Sequence, residues 1–189
     1  METSALSFIG AALATLERAV RDHGGELRHV QLATVSPDGR PRLRTLVLRG
    51  FASAPACLEV HSDARAGKVR DIDRASQVSL LAWSPAERLQ LRFEGAARLH
   101  RGDDVARARW DGLSPNARNA YGLRATPGSE IADPADQPHL PPHEQFQQFT
   151  VILISPASVD VLRLEPEGGQ TRACGRFTAS GMTGAWIGA

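Results

Sequence analysis

The sequence predicts a mainly β protein of α+β character, a small antiparallel barrel with a few peripheral helices. Three observations carry this. Apolar and polar residues alternate over several short stretches, as where Leu89, Leu91 and Phe93 interleave with Gln90, Arg92 and Glu94, which is the period of a strand with one buried face. Turn-forming clusters such as Ser36, Pro37, Asp38, Gly39 and Ser84, Pro85, Ala86, Glu87 join these stretches, so consecutive strands run antiparallel. Helical periodicity is confined to the N-terminus and to two internal segments, leaving roughly seven or eight strands to form the body.

In chain order, residues 4–22 form an amphipathic helix, because Leu6, Ile9, Leu13, Leu16 and Val20 recur at three and four while Glu17, Arg18 and Arg21 lie elsewhere. Gly24 and Gly25 end it. Strands 29–35 and 40–48 make a hairpin. Arg40, Arg42 and Arg44 alternate with Pro41 and Leu43, the signature of a half-solvated strand; from Leu46 to Leu48 both faces are apolar and read as buried. A third strand follows at 57–61. A helix is expected over 64–75 with Ser62 or Asp63 as its N-cap and Val69 and Ile72 as its apolar contact. Strands 78–83 and 89–100 form a second hairpin, with a bulge at Gly95. Residues 103–123 read as one or two helices broken at Ser114 and Pro115, Ser114 capping the second. Residues 124–145 hold several prolines and little periodicity, so an irregular loop is expected there. Strands 149–154, 159–164 and 171–178 complete the chain.

The totals narrow the class. The chain has 189 residues, 42% hydrophobic and 23% charged, which suits one domain with a sizeable core. A formal net charge of +1 leaves no bulk attraction to nucleic acid or to an anionic membrane, so any basic cluster that matters is local. Cys57 and Cys174 make no disulfide framework and fit a reducing compartment. The N-terminus lacks a leader pattern and no apolar run nears the ~20 residues of a membrane span. A cytoplasmic protein is the expectation.

Two stretches carry candidate chemistry. RTLVLR, residues 44–49, sets a cation at each end of an apolar step, suited to a ligand with a flat apolar part and an anionic part. HSDARAGK, residues 61–68, opens the predicted second helix, where unpaired N–H groups and the macrodipole favour an anion. Arg65 and Lys68, three apart, would share a helical face there and add charge-assisted contacts. Ordinary solvated surface cations are the bland alternative, and on that stretch alone it is the better one. Gln90 by spacing alone is a solvated strand amide. His139 and His143 have a spacing seen in zinc sites, but Pro141 and Pro142 intervene and no metal site is expected. No nucleophile elbow and no Walker or Rossmann glycine loop occurs. Trp83, Trp110 and Trp186 read as packing residues.

With those residues in view, residues 25–180 resemble the pyridoxamine 5′-phosphate oxidase-like family of FMN-binding split β-barrels. RTLVLR is similar to the family's R-x-x-L-L-K strand, HSDARAGK to its phosphate-binding segment, Gln90 with Gly95 to its R-Q-x-x-x-x-G strand, and RACGRF at 172–177 to its R-x-H-x-R-F. The resemblance implies FMN as cofactor, with Arg44, Thr45, Leu46, Val47, Leu48, Arg49, His61, Ser62, Arg65, Lys68, Gln90 and Arg176 around it. It also implies a homodimer with FMN at the interface and a small-molecule substrate near Arg49, Trp110, Arg118, Arg172 and Cys174. The chain departs from the family at Arg49, in place of a lysine, at Cys174, in place of a substrate-binding histidine, and at Leu162, about where a flavin-contacting tryptophan stands. Residues 110–118 and 126–128 are similar to a subgroup of unassigned substrate. The expected function is an FMN-dependent oxidoreductase. A flavin protein for storage or sensing, a genuine pyridoxine phosphate oxidase and a flavin-free interaction module are the alternatives, with a nucleic-acid-binding barrel behind them.

Overall fold

The computed structural model describes residues 4–22, 25–135 and 137–188. The expected helix stop at Gly24 lies outside these residues. Eight strands form one antiparallel sheet: β1 (His29–Val35), β2 (Pro41–Ser53), β3 (Ala56–Asp63), β4 (Gln77–Ser84), β5 (Leu89–His100), β6 (Phe149–Leu164), β7 (Gln170–Thr178) and β8 (Gly181–Trp186). Their order is β3-β2-β1-β4-β5-β6-β7-β8, and β3 also pairs with β6. That pairing closes six strands into the expected split barrel, and β7 and β8 extend it as a flap. Leu32, Leu48, Leu58, Leu80, Leu91 and Ile152 point inward and are fully buried, each worth about 1.5–3 kcal/mol of apolar burial.

Both expected hairpins form, β1 with β2 and β4 with β5. In the first turn Gly39 takes φ +80, a left-handed conformation that suits glycine. The bulge at Gly95 also forms: the register between β5 and β6 shifts at Glu94/Gly95. A side chain there would place its Cβ 2.6 Å from the Cα of Pro156. This close approach corrects one expectation. Segments 149–154 and 159–164 are a single 16-residue strand, β6, because Gly95 makes room for the Pro156 backbone that sequence alone reads as a break. β8 was not anticipated at all.

Helix α1 (Ala5–Arg21) starts at the N-cap Ser4, whose side chain accepts from the Ser7 N–H. Ile9, Leu13 and Leu16 are buried as expected, joined by Phe8 and Ala12, whereas Leu6 is exposed. The helix lies across β2, β7 and β8. Helix α2 runs Gly67–Arg74, with Ala66 as N-cap and no side-chain cap. It is therefore shorter at its start than the predicted 64–75, because Asp63 ends β3 and residues 64–66 turn the chain before any helical bond forms. Val69 and Ile72 are buried where α2 packs against β1 and β5. Helices α3 (Asp104–Asp111) and α4 (Pro115–Asn119) break at Ser114 and Pro115 as expected, with Ser114 accepting from the Ala117 N–H. Among its described residues, the irregular segment after α4 contains the short α5 (Pro142–Gln145), a 3-10 turn and an isolated bridge between Leu123 and His139. Together these elements cover the outside of β3 and β6, where Trp110, Tyr121, Phe149 and Val151 form a second, smaller core.

Candidate functional site at the head of α2

The strand β2 places its arginines against α2. Arg42 lies opposite Thr34 and Arg44 opposite Leu32 on β1, so both share the inward-facing side. The half-solvated reading of this strand is thus inverted. Arg44 is half-buried, while Leu43 is 68% exposed on the outer face. Arg44 donates to the Leu32 carbonyl at 3.1 Å and to Thr34 Oγ1 at 2.7 Å. Asp71 of α2, buried at 1% exposure, takes the Thr34 hydroxyl at 2.7 Å and stands 3.3 Å from Arg42 and 3.7 Å from Arg44. Burial draws the Arg44 guanidinium below its usual value, with Arg42 adding to this and Asp71 opposing it.

Lys68, in the first turn of α2, completes the group. Its ammonium donates to Ser62 Oγ at 3.1 Å, and among the described residues no carboxylate lies within 4.0 Å of it. Burial pushes it below the usual lysine range, the charge of Arg44 pushes it further, and Asp63 offsets part of this. A cation is being held out of water beside another cation, which costs free energy unless an anion joins them. The first two N–H groups of α2, at Gly67 and Lys68, have no helical partner. At Gly67 a Cβ would stand in contact with the guanidinium tips of Arg42 at 3.5 Å and Arg70 at 3.7 Å, so these two cations also lie at the head of α2. Sequence reading missed Arg42 and Arg70. The signal available was their spacing to Arg44 and Lys68, which has meaning only once β2 and α2 are packed together.

The other expected residues separate from this group. Arg65 lies in the turn before α2, so it does not share a helical face with Lys68. Its guanidinium is bound to Asp63 at 2.7 Å and to the carbonyls of Leu123 and Arg124 at 2.8 and 2.9 Å. His61 points to the opposite side of β3 from Ser62. There it meets Glu59 at 2.9 Å and packs edge-on to Phe149. Arg109 of α3 closes on the same Glu59 carboxylate at 2.9 Å. Burial alone would raise the Glu59 carboxyl, but the bonds from His61 and Arg109 outweigh it and hold it below its usual range. Thr45, Val47 and Arg49 occupy the outer face of β2, where Thr45 and Arg49 are exposed and Val47 half-buried. The expected burial of the 46–48 step on both faces therefore holds only on the inner side within this chain, at Leu46 and Leu48. Trp110 is a core residue, and Arg118 stacks over its ring at 5.3 Å while donating to the carbonyls of Trp110 and Asp111.

A second group of expected residues gathers on the outer face of β5, β6 and β7. Gln90 lines an apolar groove of about 450 Å³ with Gln31, Leu81, Trp83, Leu162 and Leu164. Cys174 and Arg176 line a neighbouring cavity of about 580 Å³ with Arg92, Glu94 and Asp160. Arg172 is clamped on Asp160 at 3.0 and 2.6 Å, and Arg92 reaches the same carboxylate at 2.9 Å. No hydrogen bond or ion pair links this group to Lys68 and Arg44 among the described residues. Gln90 and Arg44 also point to opposite sides of the barrel wall, three strands apart in the sheet.

The comparisons with known proteins bear on this arrangement. The family model for the pyridoxamine 5′-phosphate oxidase FMN-binding domain matches residues 12–101, a span that holds β1 to β5 and the whole α2 cluster. A solved pyridoxamine 5′-phosphate oxidase-related, FMN-binding protein from Nostoc punctiforme is 30% identical, with 95% of this chain and 96% of that one covered at a TM-score of 0.77. The chain belongs to this family. A pyridoxine/pyridoxamine 5′-phosphate oxidase of Rubrobacter xylanophilus is 39% identical over 82 residues, which are 43% of this chain and 36% of that protein, so the chain spans about a third of that relative's length. A second such oxidase from Arabidopsis thaliana is 26% identical over 154 residues, 76% of this chain and 77% of that one. The cation group around Gly67 fits the phosphate end of the family's flavin. Among the described residues no carboxylate pairs directly with Lys68. Among the described residues no group of three or more histidine, cysteine, aspartate or glutamate side chains lies together as metal ligands, and no described helix is long and apolar enough to cross a membrane.

Proposed function

We propose that this chain is an FMN-dependent oxidoreductase acting on a small molecule, and that it functions as a homodimer of one FMN-binding domain per chain. The observation that carries the FMN assignment is Lys68, an ammonium held partly out of water beside Arg44 with no carboxylate in reach. In this reading Arg44, Lys68, Ser62 and the first N–H groups of α2 bind the phosphate. FMN, when bound, supplies the redox chemistry; the protein supplies binding and orientation. Leu46 and Leu48 brace β2 from inside the barrel, while Thr45, Val47 and Arg49 offer its outer face to the ring.

The homodimer follows from the separation of the two groups. Gln90, Cys174 and Arg176 lie on the outer face of the wall, away from the head of α2, so a second copy is the source that brings such a face to the phosphate group of the first. The outer face is apolar enough for this, with Leu43 68% and Val35 46% exposed beside the groove lined by Leu81, Trp83 and Leu162. The substrate would then meet Arg49 and Cys174. Arg172, Trp110 and Arg118 are spent on Asp160, on the outer core and on backbone carbonyls, so they support a substrate site weakly. A cytoplasmic location goes with this reading.

Titration of the purified protein with FMN, followed by flavin fluorescence and by light scattering, tests the proposal. Saturable binding at one FMN per chain in a dimer is expected. A dimer that binds no FMN sinks the assignment, and a monomer that binds it tightly sinks the shared site. Bleaching of the bound flavin by NADH or NADPH, or peroxide formed from pyridoxine phosphate, separates an enzyme from a storage or sensing protein.

A further inference from the structure

We propose that Arg42 and Arg70 are anion ligands that complete the phosphate site and make the chain select phosphorylated over unphosphorylated flavin. This rests on the FMN reading above. The two guanidiniums converge on Gly67, reaching within 3.5 and 3.7 Å of where its Cβ would stand. Gly67 is the first residue of α2, and a helix start is where a phosphate oxygen is favoured. Arg70 is fixed by a 2.8 Å bond from Nη1 to the Arg65 carbonyl, which leaves Nη2 turned toward Gly67. Arg42 is held from its other side by Asp71 at 3.3 Å, yet 45% of its side chain remains exposed.

The charge balance supports the same assignment. Four cations, Arg42, Arg44, Lys68 and Arg70, converge on the first turn of α2. Asp71 is shared between Arg42, Arg44 and the Thr34 hydroxyl, while Asp63, the other carboxylate acting on Lys68, is spent on Arg65. One carboxylate neutralises one of four charges, and a phosphate dianion accounts for two more. An arginine fork binds phosphate through two parallel bonds, so Arg42 and Arg70 add geometric selection as well as charge. Gly67 is part of the device: a side chain there would pack against both guanidinium tips.

The test compares FMN with riboflavin, which shares the ring and lacks the phosphate, on the full chain. Wild type is expected to bind FMN far more tightly than riboflavin, with inorganic phosphate competing against FMN. Arg42→Gln and Arg70→Gln should each weaken FMN roughly tenfold or more while riboflavin affinity stays within about twofold, and Arg42→Lys and Arg70→Lys should recover part of the loss. Thermal melts of each variant check folding, and exposed Arg70 keeps the test informative if Arg42→Gln unfolds. If wild type binds FMN and both glutamine variants keep the wild-type ratio of FMN to riboflavin affinity, this inference is wrong and the FMN reading stands. Equal losses for both flavins make the arginines merely structural, and that also overturns it. If wild type binds neither flavin, the FMN reading falls first and this inference with it.

Discussion

Two arginine-rich clusters sit on this barrel and differ in one respect. At Asp160 each cation has a carboxylate: Arg172 grips Asp160 through two bonds, and Arg92 reaches it through a third while also facing Glu94 at 3.8 Å. At the head of α2, Asp71 answers Arg44 but Lys68 does not reach it, and Asp63, which offsets part of the Lys68 charge, is itself paired with Arg65. A closed cluster has spent its charges on the fold. An open one holds them in reserve for a ligand, at a cost in free energy to the protein alone. The same contrast separates Arg65, bound on all sides, from Lys68 three residues later.

That comparison is easiest to break from the closed side. Asp160→Ala should destabilise the protein by about 2–3 kcal/mol, since it strands two partly exposed guanidiniums, measured as a lowered denaturation midpoint; an unchanged midpoint would mean the cluster is not structural. On the open side, Lys68→Ala should cost about 2 kcal/mol of FMN affinity, roughly thirtyfold, and leave the folded protein as stable or slightly more stable without ligand. A loss of stability with unchanged FMN binding would reverse the assignment.

Both stability contributions rise with pH, each in its own window, and FMN affinity runs the other way at Lys68. The Lys68 ammonium titrates below its usual range in the folded protein. Between its folded and unfolded values the unfolded chain binds more protons, so ligand-free stability rises with pH in that window. FMN affinity falls over the same window as the ammonium is lost, which titrations at increasing pH should show. The Glu59 carboxyl is held low by His61 and Arg109. Its contribution is present above the unfolded carboxylate value and is lost as pH falls through the folded one. Glu59→Gln should flatten that acid limb in a pH series of melts.

The smallest effect belongs to Arg65. Arg65→Ala should change FMN affinity by less than about threefold, with increased protease cleavage near residues 123–124 as the sign of its actual role. A larger loss of affinity would place Arg65 in the open cluster.

The legible part of the site was local. RTLVLR and HSDARAGK are short stretches with cations at fixed spacing, and Arg44, Ser62 and Lys68 do converge. Arg65 was misplaced because helical spacing was applied to residues 64–66, which form a turn in which Asp63 and the carbonyls of 123–124 capture the guanidinium. Arg42 and Arg70 were overlooked for the opposite reason: each looks like a solvated cation in its own element. The broken reading of β6 had a similar origin, since nothing near Pro156 announces the glycine across the sheet that accommodates it.

Periods of two, turn residues and capping side chains act between neighbours in sequence. They were enough to determine most of the strands, though not β8 or the unbroken run of β6, together with both hairpins, the Ser114 cap and the mainly β class. The closing of β3 onto β6, the inward turn of Arg42 and Arg44, and the choice of which cations find a carboxylate depend on contacts between distant residues. Only the folded chain decided those, because a charge is free or spent according to what packs against it.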